Sequence, residues 1–275
     1  MIFTGNTDVA SALARWAEEK NAHTFYDVLR RCSRGQLLYD VTGSDIRMEG
    51  TTMAAGSRIG LRTHATEDGS QYLLVFTSDA EIKRMHPEGT TTSSIVQSAL
   101  DAVRFGASES FAGVILDAGA GPASCIVTAD EIRRALPADP GVAVELKEAL
   151  AGPSLPGRRQ ETLGALSRAA VVYVPVEQTA SGNGSTRPDG EPLVSVPTVA
   201  GPSGRTFSAA FTSPAEVWSW LPSAQAYPTS VAHAVRAALA QPGHNGLMVN
   251  PGGPPLIVTR PELEDLATRL PVPRS

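Results

Sequence analysis

Cysteine is nearly absent from this chain: Cys32 and Cys125 are the only two in 275 residues. They are not equivalent between the repeats described below, so they build no disulfide framework, and no Cys-x-x-Cys supplies sulfur to a metal. Both are expected to be reduced and buried. The histidines, His23, His64, His86, His233 and His244, lack the His-x-x-x-His spacing of a helical metal pair, so neither a metal nor a cofactor is expected. Long hydrophobic runs are missing too. No segment approaches the roughly 18 uninterrupted apolar residues of a membrane span. Met1 to Ala12 shows no basic stretch leading into an apolar one, so a soluble cytoplasmic protein without membrane insertion is expected. On that expectation Asn183-Gly184-Ser185, which fits the glycosylation acceptor pattern, reads as loop. Positive charge is not in excess either. A net charge of -5 gives no field to recruit polyanions, and nucleic acid is not an expected partner. Arg30, Arg31 and Arg34 at a predicted helix end, and Arg158-Arg159 in a predicted linker, read as solvated surface.

What the chain does have is repetition. Its 42% apolar and 19% charged residues suit a folded protein, with 25 glycines and 21 prolines predicting extended loops, and its length suits two domains. Phe76-Thr77-Ser78 with Glu81 returns as Phe211-Thr212-Ser213 with Glu216, 135 residues on. Leu38-Tyr39 answers Val172-Tyr173 upstream. Downstream, Gly113-Val114-Ile115-Leu116-Asp117 answers Gly246-Leu247-Met248-Val249-Asn250, and Ile126-Val127-Thr128 answers Ile257-Val258-Thr259. Several apolar blocks in one order indicate a duplicated domain, 1–139 and 140–275, with the boundary near Asp139 to Gly141 or, alternatively, after Pro156.

Each copy reads as α+β: N-terminal helices, a β-meander, a central helix, a β-hairpin and a terminal helix. Val9, Leu13 and Trp16 recur at helical spacing with Asp8 as the expected cap, and Val142 to Leu150 and Gln160 to Ser167 take the same part in the second copy. Gln36 to Val41, Ala170 to Val176 and Leu193 to Val199 have strand composition, with Thr179 to Gly190 between them a polar loop. The repeated Phe-Thr-Ser enters a helix, and Ser78 and Ser213 with Glu81 and Glu216 three residues later fit a capping box. That explains both serines without nucleophilic chemistry. A further helix is expected over Ser93 to Val103 and Thr229 to Leu239, on the spacing of Ile95, Ala99 and Val103.

Val172-Tyr173-Val174-Pro175-Val176, the later Phe211-Thr212-Ser213 and Gly246-Leu247-Met248-Val249-Asn250-Pro251-Gly252 together resemble the SseB N-terminal domain family of bacterial proteins, over most of Ala170 to Leu266 and more weakly over Gln36 to Leu136. In the first copy Asp117-Ala118-Gly119-Ala120-Gly121 replaces Asn-Pro-Gly, marking it as the degenerate copy. The resemblance implies a cytosolic protein with no established catalytic activity.

The candidate site residues lie in the second copy. Asn250-Pro251-Gly252-Gly253 forms a turn at a strand end, where loop tips carry binding groups, and Trp218 and Trp220, two apart on a helix, cannot share one face, so one is expected to be exposed as a partner anchor. His233 and His244 read as surface or capping residues, as does His86. Gly182-Asn183-Gly184 and Gly119-Ala120-Gly121 lack the lysine or third glycine of a phosphate cradle, and Glu262, Glu264 and Asp265 read as a solvated helix start. The expectation is a non-enzymatic adaptor with a protein partner and no catalytic residues, its narrower form serving a bacterial secretion or toxin-immunity system. Homo-oligomerisation is left open. The alternative is a small-ligand module or enzyme with a cleft between the domains, using Asn250 and His233 or His244 as polar groups.

Overall fold

The computed structural model of the chain describes residues 5–45, 48–49, 52–137, 144–151, 157–178, 194–195 and 197–271. It divides into two compact α+β units, Met1–Pro137 and Ala138–Ser275. The stretch Asp139 to Gly141 and the polar loop Thr179 to Gly190 fall outside the described residues. Among those described, no helix is long and apolar enough to cross a membrane.

The first domain opens with α1 (Thr7–Glu18) and α2 (Ala22–Arg31). Asn6 rather than Asp8 caps α1, its side-chain oxygen accepting from Val9 N at 3.1 Å, because the cap must stand one residue outside the helix. Asp8, already in the first turn, pairs with Arg34 at 3.4 Å and Arg31 at 3.7 Å. The arginines at the end of α2 are therefore not a solvated run. Arg30 is buried and meets buried Asp27 at 2.6 Å, with Arg31 at 3.2 Å and Arg15 beside them, which fastens α2 to α1. Burial would raise the Asp27 carboxyl, but the guanidiniums of Arg30, Arg15 and Arg31 hold it below its ordinary value.

Then follow β1 (Gln36–Asp40), the small pair β2 (Met48–Glu49) and β3 (Thr52–Met53), β4 (Thr63–Ala65), β5 (Gln71–Phe76), α3 (Asp79–Arg84), β6 (Ser94–Ser98), α4 (Ala99–Phe105), β7 (Gly113–Leu116), β8 (Cys125–Thr128) and α5 (Ala129–Ala135). The sheet runs β6-β1-β5-β7-β8, with β4 also on β5, and only the β5–β7 pair is parallel.

The second domain repeats this with α6 (Val144–Ala151), α7 (Arg158–Arg168), β9 (Val171–Gln178), β10 (Val194–Ser195), β11 (Thr198–Ala200), β12 (Thr206–Ala210), α8 (Pro214–Trp220), β13 (Gln225–Ser230), α9 (Val231–Leu239), β14 (Gly246–Val249), β15 (Leu256–Thr259) and α10 (Arg260–Arg269). Here β13-β9-β10 and β11-β12-β14-β15 are joined by Tyr173 and Phe211, which exchange backbone hydrogen bonds of 2.8 Å, so the order β13-β9-β12-β14-β15 matches the first domain. Arg158 and Arg159 begin α7 rather than lying in a linker, and Arg159 bonds Glu262 at 2.7 Å.

Two sequence expectations are corrected by the strands. The helices placed over Ser93 to Val103 and Thr229 to Leu239 begin in strands β6 and β13, and each true helix starts after a serine cap: Ser98 accepts from Asp101 N and Ser230 from His233 N, both at 3.1 Å. Ile95 belongs to the strand, so its spacing of four to Ala99 carries no helical meaning. The repeat also slips by one upstream. Leu38 pairs with Phe76 as Tyr173 pairs with Phe211, and Gln36 with Ser98 as Val171 with Ser230, so Leu38-Tyr39 answers Tyr173-Val174 and not Val172-Tyr173. A slip of one exchanges the two faces of a strand. With the corrected register Leu38, Leu74 and Phe76 pack on Ile82 of α3 as Tyr173, Ala209 and Phe211 pack on Val217 of α8.

One glycine recurs for a steric reason. Gly113 and Gly246 open β7 and β14 at φ +155° and +153°, and a Cβ there would lie 2.1 Å from Val127 O and 2.0 Å from Val258 O.

Candidate functional site

The repeated tripeptide sits where β5 or β12 ends, facing the end of β7 or β14. Asp117 and Asn250 occupy equivalent left-handed positions, φ 48° and 53°, just past those strands. Their side chains turn back onto the repeated threonine. Thr77 donates from N (2.7 Å) and Oγ1 (2.6 Å) to the Asp117 carboxylate, whereas Thr212 N donates to Asn250 Oδ1 (2.9 Å) and Asn250 Nδ2 donates to Thr212 Oγ1 (2.9 Å). Both pairs are buried and latch the two parallel strands together. The chemistry differs: burial pushes the Asp117 carboxyl up to about 6 against the pull of its Thr77 bonds, while the amide of Asn250 bridges the same two threonine groups without charge, with the hydroxyl bond reversed.

The serine that follows has separate duties in the two copies. Ser78 caps α3 by accepting from Glu81 N at 3.4 Å, but Ser213 makes no cap bond, and its buried Oγ has no hydrogen-bond partner among the described residues. Neither forms the expected capping box. Reciprocal boxes recur instead at α5 and α10, Thr128 with Glu131 and Thr259 with Glu262, so Glu262 is a cap rather than part of a solvated acidic face.

Elsewhere in the second domain an open cavity of about 680 Å³ lies on the sheet beside α9. Val174 and Val176 of β9 and Ser208 of β12 form its floor, and the stripe His233, Ala237, Gln241 along α9 and its C-terminal turn forms one wall. Tyr227 of β13, paired with Val174 and 61% exposed, stands at the rim. His244 closes one end, with Nδ1 2.7 Å from Ser208 Oγ, a hydrogen bond in which the ring tautomer sets the donor. Arg260 at the start of α10 fixes the turn that carries His244, donating to Leu239 O at 2.7 Å and to His244 O at 3.4 Å.

In the first domain the same place is filled by the chain itself. By the strand and helix registers, Val174, Ala237, His244 and Ser208 correspond to Tyr39, Phe105, Phe111 and Leu73. Tyr39 and Phe105 have ring centroids 6.3 Å apart, Phe105 and Phe111 5.5 Å, and Leu73 is fully buried. Three rings and a leucine thus become one imidazole, a valine, an alanine and a serine. A volume that three rings occupy in one copy, Phe105 still 45% exposed at its outer side, stands open in the other.

The SseB protein N-terminal domain profile matches residues 9–134 and again 146–265, both copies of the repeat. The chain belongs to the SseB family. No curated protein and no solved structure matches it. In this SseB-family protein Trp218, Trp220 and the turn Asn250 to Gly253 gather at one end of the second domain and none of them lines the cavity, whereas His233 and His244, the polar groups of the ligand-binding alternative, both do. Asn250 is buried in its latch, Gly253 N closes the turn on Asn250 O at 3.0 Å, and Gly252 lies against Ser219 and Trp220. Neither tryptophan is exposed. Trp220 packs on Phe211 with centroids 5.5 Å apart and Trp218 Nε1 donates to Ala224 O at 3.0 Å, because both flank the cluster around Val217. His86 is not a surface residue either: its side chain is 7% exposed and bonds buried Asp40 at 2.7 Å.

The cavity residues Ser208, Val174, Ala237 and Tyr227 were not legible from motifs. The readable signal is the exchange of Tyr39, Phe105 and Phe111 for smaller or polar residues in the second copy, and the one-residue slip at β1 concealed it. As chemistry, the Ser208–His244 pair suits recognition more than attack. A nucleophilic serine needs a base whose far nitrogen is oriented by a third group, and among the described residues no side chain bonds the other nitrogen of His244. Cys32 and Cys125 are free and buried, and burial raises both thiols, Cys125 to about 12, so neither is a thiolate at neutral pH.

Proposed function

We propose that this SseB-family chain is a non-enzymatic binding protein whose second domain holds a small ligand and whose first domain is a filled framework copy. The observation that carries this reading is the cavity of about 680 Å³ at a place where the first copy packs Tyr39, Phe105 and Phe111. Its volume falls in the range of roughly 300–1,000 Å³ typical of ligand pockets, and its lining mixes apolar side chains with polar ones, Ser208, His233, Gln241 and His244 among them. The ligand site lies within one domain, not in a cleft between two. Ala237→Phe tests it, restoring the ring that the first domain carries at Phe105. Ala237 is exposed, so the substitution adds bulk without overpacking a core. A metabolite thermal-shift screen is expected to find a ligand for the wild type that the variant no longer binds; a ligand bound equally by both overturns the assignment.

A protein-interaction role is the second reading, supported by the edge strands. Among the described residues β6 and β13 each pair on one side only, and they expose Val96 (40%) and Tyr227 (61%). An exposed tyrosine at an interface is a common energetic anchor. Crosslinking in a native lysate with Tyr227→Ala against wild type tests this, loss of a partner being the expected result and an unchanged set of partners the contrary one. An adaptor of this kind would work in the cytoplasm, and gene neighbourhood tests its link to secretion or toxin immunity.

A further inference from the structure

We infer that the ligand of the second-domain cavity is a small aromatic compound of one or two rings carrying a single hydrogen-bonding head. The inference rests on the ligand-binding reading above and adds the chemical class. Duplication provides the argument. The position was built to hold rings, as Tyr39, Phe105 and Phe111 show in the first copy, tilted and edge-on to one another at 5.5 to 6.3 Å. In the second copy two of those rings are cut back to Val174 and Ala237, while their surroundings keep the same strand register. A ligand ring in that volume restores the packing the framework was shaped around. His244 retains a ring at the third position, and Tyr227 offers another at the rim.

The polar end is equally specific. Ser208 replaces Leu73, which is fully buried in the first copy, and it bonds His244, which replaces Phe111. Two adjacent apolar positions have become a hydroxyl and an imidazole, which together can donate to and accept from one phenol, carboxylate or ring N–H. Among the described residues the cavity is lined by no lysine, arginine, aspartate or glutamate, so no described side chain in it matches a polyphosphate or a cationic ligand. Its volume of about 680 Å³ suits a small molecule.

The test measures affinities of the intact chain, by calorimetry, for matched probes: 4-ethylphenol against 4-ethylcyclohexanol, and 3-phenylpropionate against 3-cyclohexylpropionate. The aromatic member of each pair is expected to bind about two- to ten-fold more tightly, from ring–ring contact beyond burial. Ala237→Phe abolishes binding of all four, with Val174→Tyr as the second filling variant should the first not fold. Ser208→Ala weakens 4-ethylphenol by about five-fold and leaves ethylbenzene unchanged, a split that a general loosening of the fold would not produce. Saturated probes binding as well as aromatic ones, with Ala237→Phe still abolishing both, overturn the aromatic class but keep the cavity as the site. Binding of every probe untouched by both filling variants overturns the ligand-site reading itself. Inert free probes, with capture only of peptides that present an aromatic side chain, overturn the small-molecule inference in favour of a protein partner.

Discussion

The two domains are one fold with opposite treatments of a single volume and of a single buried side chain. Strand order, pairing register, the glycine that opens the parallel strand and the closing capping box agree between them. At the cavity, the first domain supplies three rings where the second supplies a valine, an alanine and a histidine. At the latch, the first buries a carboxylate where the second buries an amide. What duplication preserved is the framework, and what it changed is this volume and this buried side chain.

The largest expected effects fall on the shared framework and are the most direct way to break the equivalence. Gly113→Ala and Gly246→Ala each force a Cβ to about 2 Å from a carbonyl oxygen of the neighbouring strand. Each is expected to destabilise its own domain by roughly 3 kcal/mol or more. Hydrogen exchange in the intact chain reads the two domains separately, and one of the two variants leaving its own domain as protected as in the wild type would show that the glycines are not equivalent.

The latch comes next. Asp117 has its carboxyl raised from 3.8 to about 6 in the folded first domain, chiefly by burial. A raised folded value means that the neutral form is the one the fold favours. Its contribution is therefore fully present below about pH 3.8 and is lost as pH rises through about 6. Two pKa units correspond to roughly 3 kcal/mol, an upper estimate. Asp117→Asn imports the arrangement of Asn250, so it should stabilise the first domain at pH 7 by about 1–3 kcal/mol and flatten this term between pH 4 and 6. Asn250→Asp should bring the same pH dependence to the second domain. Denaturation midpoints at pH 4 and pH 7 check both, and an Asp117→Asn variant no more stable than wild type at pH 7 would contradict the sign.

Smaller effects sharpen the contrast. Ala237→Phe should change second-domain stability by less than about 1 kcal/mol, since its side chain enters open space. Arg159→Ala should cost about 0.5 kcal/mol, because its pair with Glu262 is half-exposed, and a loss above about 2 kcal/mol by denaturant titration would show that the pair matters more than its exposure suggests.

Repetition and alternation made the framework legible: apolar blocks in fixed order announced two α+β domains, and Ser78 announced its helix. Strand-to-helix junctions were harder. In β6 and β13 a short strand runs directly into a helix through a serine cap, so the helical spacing of Ile95, Ala99 and Val103 extended one element into another. The asparagine turn was legible as a turn, but its burial in a bond to Thr212 depends on a strand 38 residues away. The cavity was hidden for a subtler reason. It consists of side chains that became small, and absent bulk is visible only when the copies are aligned in the true register, where Tyr39 meets Val174.

On the proposed reading the second domain is open for a ligand where the first is occupied by its own rings. Amide chemical-shift mapping of the intact chain titrated with 3-phenylpropionate tests it most directly. Shifts are expected to be confined to the second domain, centred on Val174, Ser208, Tyr227, Ala237 and His244, and absent in Ala237→Phe. Shifts centred on Tyr39, Phe105 and Phe111, or a second-domain response that survives Ala237→Phe, would contradict it.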